Sequence, residues 1–138
     1  NSGARVSDLL DLNWSNINFQ DSTITYKNKK SKKMQTQVLS DCVKKMLNIY
    51  KDLSEHSCLF YNPSKKAVLS RVTASRRTKK EYSINFHELR KVAGKHIANQ
   101  KGVVYASKFL GHSRVSTTDI YLNVSQNDYI KEMRALSL

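Results

Sequence analysis

The sequence predicts an α+β fold that is mainly helical, with a small three-stranded antiparallel sheet near its N-terminal end. Two observations carry this prediction: alternating β-type runs fall between residues 17 and 39, and apolar residues elsewhere recur at helical spacing. The 138 residues suffice for one compact domain with a hydrophobic core and are too few for two ordinary domains. We therefore expect a single domain over residues 1–138.

The chain opens on a short helix. Its apolar residues follow the i, i+3, i+4 spacing of one helix face: Val6, Leu9, Leu10 and Trp14. A domain seldom begins at the first turn of a buried helix. We therefore expect this chain to be a truncated part of a longer protein, with an N-terminal partner domain missing.

Three β-type runs follow and predict an antiparallel meander. They comprise Ile17 with Phe19, then Thr23 to Tyr26, then Thr36 to Val38. The turn between the second and third runs concentrates positive charge, with Lys27, Lys29, Lys30, Lys32 and Lys33. Lysines at this density repel one another unless they face solvent or phosphate, and the turn alone is compatible with either environment.

The rest of the chain has helical patterns. Ser40 and Asp41 cap a helix through Tyr50, and Ser64 begins a second helix. That second helix is strongly basic, with Arg71, Arg76, Arg77, Lys79 and Lys80 on it or just after it. A third helix follows Asn85 and ends near Gly102. Shorter helices are predicted over 104–110 and 116–122, and an amphipathic tail helix within 125–138.

Positive charge dominates the composition. Lys and Arg number 24 against 11 Asp and Glu, which gives a net charge of +13 and a pI near 9.9. Such an excess of cations favours a polyanionic partner, DNA or RNA, because cations that bind phosphates release condensed counterions. The sequence contains no long apolar run of the kind that predicts a membrane span. Cys42 and Cys58 lie in no CxxC motif and are expected to be structural thiols of a soluble protein in a reducing cytoplasm.

Two short segments carry residues suited to phosphate chemistry. His87 and Arg90 stand three residues apart, which places them on one face of the third helix. Downstream, the run Leu110-Gly111-His112-Ser113 is followed by two threonines and then by Tyr121, nine residues beyond His112. Because His-x-x-Arg alone is a common surface pair, the order and spacing of both segments decide the interpretation.

This order resembles that of the tyrosine recombinase, or phage integrase, family. The family's H-x-L-R box is matched by His87, Leu89 and Arg90, and its L-G-H-S box with T-T and a nucleophilic tyrosine by Leu110, Gly111, His112, Ser113, Thr117, Thr118 and Tyr121. The stretch from Ser2 to Trp14 resembles the family's first-arginine box, with Arg5 as its arginine. Lys91 stands where the family frequently has a histidine, and Ser2 stands where it has a threonine.

The resemblance implies a catalytic domain separated from its N-terminal core-binding domain. It also implies a catalytic lysine in the lysine-rich turn, for which Lys30 fits best and Lys29 is the nearest rival. The implied catalytic set is Arg5, Lys30, His87, Arg90, His112 and Tyr121. In this set Tyr121 attacks a DNA phosphate to form a 3′-phosphotyrosyl link, with no need for ATP, metal or another cofactor.

The implied partner is double-stranded DNA, with no membrane involved. The resemblance further implies a homo-tetramer on paired DNA sites, a monomer away from DNA, and a nucleoid-associated location in a prokaryotic or phage-infected cell. The tail over 125–138 docks either on a neighbouring protomer or on its own domain. Two rival functions remain: a type IB topoisomerase-like enzyme that cuts and reseals without exchanging partners, and a catalytically silent DNA-binding module.

Overall fold

The structure is a computed structural model that describes residues 3–111 and 126–136. Its elements within these ranges are α1 (Val6–Leu9), β1 (Ile17–Asn18), β2 (Thr23–Lys27), β3 (Met34–Val38), α2 (Asp41–Asp52), β4 (Tyr61–Asn62), β5 (Ala67–Val68), α3 (Arg71–Tyr82), α4 (Phe86–Lys101), α5 (Val103–Phe109) and α6 (Gln126–Arg134). No helix in this part of the chain is long and apolar enough to cross a membrane. The predicted fold class is confirmed, since helices dominate and the N-terminal sheet is three-stranded and antiparallel.

The sheet has the simple order β1-β2-β3, so each strand pairs with its neighbour in sequence. Ile17 lies opposite Ile24, and Lys27 lies opposite Met34 at the far end of the β2–β3 hairpin. Residues 28–33 form the hairpin turn. Two backbone hydrogen bonds close it, from Asn28 N to Lys33 O at 2.9 Å and from Lys32 N to Asn28 O at 2.8 Å. The predicted lysine-rich turn is therefore a structured loop at one end of the sheet.

The basic helix begins later than the sequence pattern suggests. Ser64, the predicted first residue, lies in a 3-10 turn that joins β4 to β5, a two-stranded hairpin that was not predicted. Pro63 starts this turn and Lys66 reverses the chain with a φ of 47°. The side chain of Ser70 caps the true first turn of α3. The prediction was wrong because the two strands, at two residues each, are too short to show alternation.

Helix α4 presents a narrow buried face. It begins directly after Asn85, as predicted; Asn85 is its N-cap, and the helix buries Gly94 and Ile97. Leu89 and Val92, although apolar, are 47% and 69% exposed. The two residues lie off the buried face because neighbours in an α-helix are rotated by about 100° from one another.

Two clusters of buried residues form the core. One is built mainly on the sheet and comprises Leu12, Ile17, Ile24, Tyr26, Leu39 and Leu59. The other joins the C-terminal helices to the end of β3 and comprises Val38, Ile97, Ala106, Phe109, Tyr129 and Met133. Both cysteines are free thiols; Cys42 is exposed, and Cys58 is partly buried.

Helix α6 packs on the domain that precedes it in the chain. Tyr129 and Met133 are 0% and 1% exposed within the second core cluster. Lys101 at the end of α4 forms a salt bridge with Glu132, 2.6 Å between Nζ and Oε2. In this single chain α6 therefore packs on its own domain, and the choice between the two alternatives for the tail stays a prediction.

Candidate active site

Arg90 connects three segments that are far apart in sequence. Its Nη1 donates a hydrogen bond to the carbonyl oxygen of Gly3, and its Nη2 donates to that of Leu110. Gly3 lies two residues before Arg5, and Leu110 lies two residues before His112. The guanidinium of the H-x-L-R segment is thus fixed against the backbone of the two other predicted segments.

The contact with Gly3 depends on the absence of a side chain. Gly3 has a φ of +58°, and a Cβ atom built there would lie 2.6 Å from the carbonyl oxygen of Phe109. Only glycine adopts such a backbone at little cost and also permits so close an approach. The glycine therefore lets the N-terminal segment lie against the end of α5, where its carbonyl meets Arg90.

Arg5 and Arg90 lie within electrostatic range of each other. Burial lowers the pKa of Arg90, and the positive charge of Arg5 lowers it further, while Tyr26 and Asp8 oppose that shift. Arginine remains protonated despite such shifts. Two cations held close together create a site that an anion stabilises.

A buried carboxylate lies near this pair. Asp8 is 3% exposed, and its Oδ1 accepts a hydrogen bond from the backbone N–H of Lys29 at 3.1 Å. Its Oδ2 has no hydrogen-bond partner within the described ranges. Burial, with a smaller contribution from the charge of Asp8, raises the pKa of Tyr26 to about 12. Asp8 therefore ties the lysine turn to the arginine box and partly balances the arginine charge.

The two lysines proposed from the sequence differ in their surroundings. The ammonium of Lys29 forms an ion pair with Asp11, 2.5 Å between Nζ and Oδ2. Lys30 is exposed, and its backbone N–H donates to Oδ1 of Asn28 at 3.0 Å. The same oxygen accepts a hydrogen bond from Nη1 of Arg5 at 3.4 Å. The turn that carries Lys30 and the side chain of Arg5 thus share one partner.

The remaining predicted residues are placed only in part. His87 is exposed in the first turn of α4, one turn before Arg90. His112 and Tyr121 lie outside the described residues. The structure therefore brings together Arg5, Arg90 and the Lys30 turn, at the point where the chain leads into His112.

Asn28 was not identified from the sequence. It is a single amide among lysines, in a turn without a periodic pattern. Its significance depends on a contact with Gly111, 83 residues away. A buried polar residue in a turn gives no signal that distinguishes it from the exposed asparagines that commonly form turns.

The groups that converge at the site are suited to anions. Across residues 3–111 and 126–136, no three His, Cys, Asp or Glu side chains are grouped so that they would hold a metal ion. The converging groups are guanidinium and amide donors, which bind the oxygen atoms of phosphate or carboxylate. A guanidinium offers five N–H donors, so Arg90 retains donors beyond those used for the two backbone carbonyls.

Comparison with known proteins supports the same interpretation. The model of the phage integrase family matches residues 1–128. A probable integrase/recombinase, YoeC of Bacillus subtilis (strain 168), is 26% identical over 134 residues, which are 92% of this chain and 74% of the relative. XerA recombinase has a similar crystal structure, with a TM-score of 0.72, 23% identity, and coverage of 97% of this chain and 53% of that chain.

A second similar structure is that of a lambda integrase tetramer bound to a Holliday junction. Its TM-score is 0.63 at 24% identity, covering 84% of this chain and 39% of that chain. The present chain thus spans about half the length of the XerA chain and 39% of the length of the lambda integrase chain. Since the family model matches far more than half of the residues, the chain belongs to the phage integrase family.

Proposed function

We propose that this chain cuts and rejoins double-stranded DNA in site-specific recombination, through a covalent bond between Tyr121 and a 3′ phosphate. One observation carries the proposal: Arg5 and Arg90 converge where the backbone of Leu110 leads into His112. Two arginines close enough to interact electrostatically form a receptor for a phosphodiester. Membership of the phage integrase family supports this chemistry.

The arginines stabilise charge on the phosphate. When an oxygen nucleophile attacks, negative charge grows on the two non-bridging oxygens, and two guanidinium groups neutralise it. The repulsion between Arg5 and Arg90 is relieved by the bound anion, so their interaction with the transition state is stronger than with a less charged ground state. The carbonyls of Gly3 and Leu110 hold Arg90 in orientation before DNA binds.

The covalent step exchanges one phosphate ester for another. The Oη atom of Tyr121 forms a bond to phosphorus, and the bond from phosphorus to the 5′ oxygen breaks. We assign transfer of the tyrosine proton to His87 as base, and donation of a proton to the leaving 5′ oxygen to Lys30 as acid. His112 donates a hydrogen bond to a phosphate oxygen. Attack by the 5′ hydroxyl of another strand reverses the step, so neither ATP nor a metal is required.

Lys30 is favoured over Lys29 as the acid. The ammonium of Lys29 is already engaged in an ion pair with Asp11. Lys30 is exposed on a turn whose backbone is fixed. An ammonium on a flexible stem, anchored at its backbone, is able to reach a leaving group.

Duplex DNA has a clear basic surface to bind. Helix α3 has one acidic residue and five exposed cations: Arg71, Arg76, Arg77, Lys79 and Lys80. Its only buried residue is Ala74. A helix that buries so little of itself against its own domain, and carries so much charge, is suited to phosphate contacts. By similarity to the lambda integrase tetramer, we propose four copies on paired DNA sites.

The experiment is capture of the covalent adduct. The chain is incubated with a pool of nicked duplexes of random sequence, in which cleavage releases a short fragment and prevents religation. Protein–DNA species that survive denaturant are isolated, their DNA is sequenced, and the modified peptide is identified by mass spectrometry. We expect an adduct on Tyr121 and none from Tyr121→Phe. Tyr82→Phe, at a side chain that is 67% exposed on α3, is the matched control and should react normally.

The rival functions give different results. A silent DNA-binding module retains DNA on a filter but forms no adduct from the wild-type chain. An adduct that persists in Tyr121→Phe overturns the choice of nucleophile. A topoisomerase-like enzyme relaxes a supercoiled plasmid that carries two selected sites without producing recombinant circles, whereas a recombinase produces them.

A further inference from the structure

Asn28 is buried in the hairpin turn that carries Lys30. It is 1% exposed, among the most deeply buried polar side chains in the described part of the chain. Burial of an amide is costly unless its donor and acceptor groups are paired. Both ends of this side chain have partners, and those partners belong to four segments: its own turn, β3, the segment before α1 and the segment after α5.

The oxygen of the side chain organises the turn. Oδ1 accepts hydrogen bonds from the backbone N–H groups of Lys30 and Ser31, at 3.0 and 3.1 Å. A backbone N–H only donates, so these two contacts fix which end of the amide is the oxygen. The third donor to Oδ1 is Nη1 of Arg5, at 3.4 Å. The position of Lys30 and that of Arg5 are therefore set by one atom.

The nitrogen of the side chain faces the C-terminal segment. Nδ2 donates to the carbonyl oxygen of Gly111 at 3.3 Å and to Oε1 of Gln35 at 3.4 Å. Gly111 has a φ of +61°, and a Cβ atom there would collide with the side chain of Gln35. The residue immediately before His112 is thus closely packed and hydrogen-bonded to the same amide that binds Arg5.

We propose that Asn28 is a positioning residue, which holds the Lys30 turn and Arg5 in fixed register with the backbone that leads into His112. The inference rests on the proposed function, because the fixed positions of Lys30 and Arg5 relative to His112 matter only if these residues act together on a DNA phosphate. Asparagine is suited to the role since its short side chain presents an acceptor and a donor at the same end. Aspartate keeps the acceptor but loses the donor, and alanine loses both.

The test compares three variants on a duplex selected in the adduct experiment. Asn28→Ala should slow adduct formation at saturating DNA by about 30-fold to 100-fold, since small misplacement of reacting groups has effects of this size. The dissociation constant for DNA should change by less than about threefold, because Asn28 is buried and the phosphate contacts of the surface remain. Asn28→Asp should also be slower than wild type, by at least about tenfold, since its carboxylate keeps the acceptor for Lys30 and Arg5 but cannot donate to Gly111.

Asn62→Ala is the matched control. Asn62 is also a buried asparagine, 5% exposed, but it lies in β4, and its Oδ1 has no hydrogen-bond partner among the described residues. Its replacement should leave the rate of adduct formation unchanged below the melting temperature.

The outcomes separate this proposal from the proposed function. Equal adduct rates in wild type and Asn28→Ala, or an Asn28→Asp that is as fast as wild type, overturn the positioning role while the adduct itself upholds the enzyme. Equal slowing by Asn62→Ala shows that loss of a buried amide has a general structural effect and also overturns it. Absence of an adduct from the wild-type chain overturns the proposed function and this inference together.

Discussion

The hydroxyl of Tyr129 donates a hydrogen bond to Oε1 of Gln37, which joins α6 to β3. Nε2 of Gln37 in turn donates to the carbonyl oxygen of Phe109 at 3.1 Å, at the end of α5. All three residues are at most 2% exposed. Because buried polar groups stabilise a fold only when each is paired, this connected set fixes α6 on its own domain.

Tyr129→Phe should therefore destabilise the domain. The change leaves Oε1 of Gln37 buried without its donor, so we expect the free energy of unfolding to fall by about 1–3 kcal/mol. Urea denaturation followed by circular dichroism measures it. Tyr82→Phe removes a hydroxyl from an exposed side chain and should change stability by less than about 0.5 kcal/mol. A Tyr129→Phe variant as stable as this control would contradict the assigned role of the hydrogen bond.

The docking of α6 also predicts how stability depends on concentration. A tail that packs on its own domain is part of a monomer, so the melting temperature in the absence of DNA should not change with protein concentration. A tail that packs on a neighbouring copy would make the melting temperature rise with concentration. Deletion of residues 126–138 should unfold the domain, because it removes Tyr129 and Met133 from the second core cluster. A deleted chain that remains folded would indicate that α6 is an accessory segment.

Gly3→Ala should be far more harmful than the same change at Gly102. Both residues have positive φ, +58° and +88°, so both substitutions strain the backbone by about 1–3 kcal/mol. At Gly102 a Cβ atom meets nothing within 4 Å, whereas at Gly3 it meets the ring and the carbonyl oxygen of Phe109. We expect Gly3→Ala to cost about 2 kcal/mol more in the free energy of unfolding. Similar losses in the two variants would show that the N-terminal segment moves freely away from α5.

Much of the fold followed from short-range pattern. The three strands of the sheet and the start of α4 after Asn85 were predicted because alternation and helical spacing are local properties of the sequence. The β4–β5 hairpin was missed since its strands contain two residues each. The exposure of Leu89 and Val92 does not follow from the sequence, since a helical stripe indicates amphipathicity but does not fix which flank of the stripe is covered.

The site was only partly accessible from sequence. Arg5, Arg90 and the Lys30 turn were proposed from the resemblance of separate segments to the boxes of the family, and the fold brings them into one region. Asn28 and Gly3 were not proposed, since their contacts involve a backbone carbonyl of Gly111 and a ring of Phe109. Backbone carbonyls carry no sequence signature, so partners of this kind emerge only from the three-dimensional structure.

Stability should fall at alkaline pH because of Tyr26. Burial raises its pKa from 10.0 to about 12, so between these values the folded chain keeps a proton that the unfolded chain loses. The stabilisation is complete below pH 10.0 and is lost as pH rises through about 12, by about 1.4 kcal/mol per pH unit at most. Burial also raises the pKa of Tyr129, which acts in the same direction.

Tyr26→Phe tests this assignment. The variant lacks the titrating hydroxyl, so its free energy of unfolding should decline less steeply than that of the wild type above pH 10.0. Urea denaturation at a series of pH values gives both slopes. Identical slopes in the two proteins would mean that the alkaline loss arises from other groups.

The basic surface of α3 makes a prediction about salt. Arg76 and Lys80 stand four residues apart on this helix, and both are exposed. If each neutralises one DNA phosphate, replacing both with glutamine should reduce the slope of log affinity against log salt by about 2, since each contact contributes about 0.9. Affinity for a fixed duplex should fall at low salt, while the free energy of unfolding stays the same because neither side chain is buried. Fluorescence anisotropy over a salt series measures the slope.

A matched pair on other elements separates local contact from total charge. Lys45 on α2 and Lys131 on α6 are also exposed, and their replacement by glutamine removes the same two charges from the chain. General attraction between a protein of net charge +13 and DNA would weaken equally in both double variants. Direct phosphate contact by α3 requires the salt slope to fall for Arg76 and Lys80 and to stay near the wild-type value for Lys45 and Lys131. Equal salt slopes in the two double variants would mean that α3 does not contact the phosphates directly. The assignment of the arginine pair to the site would not be affected.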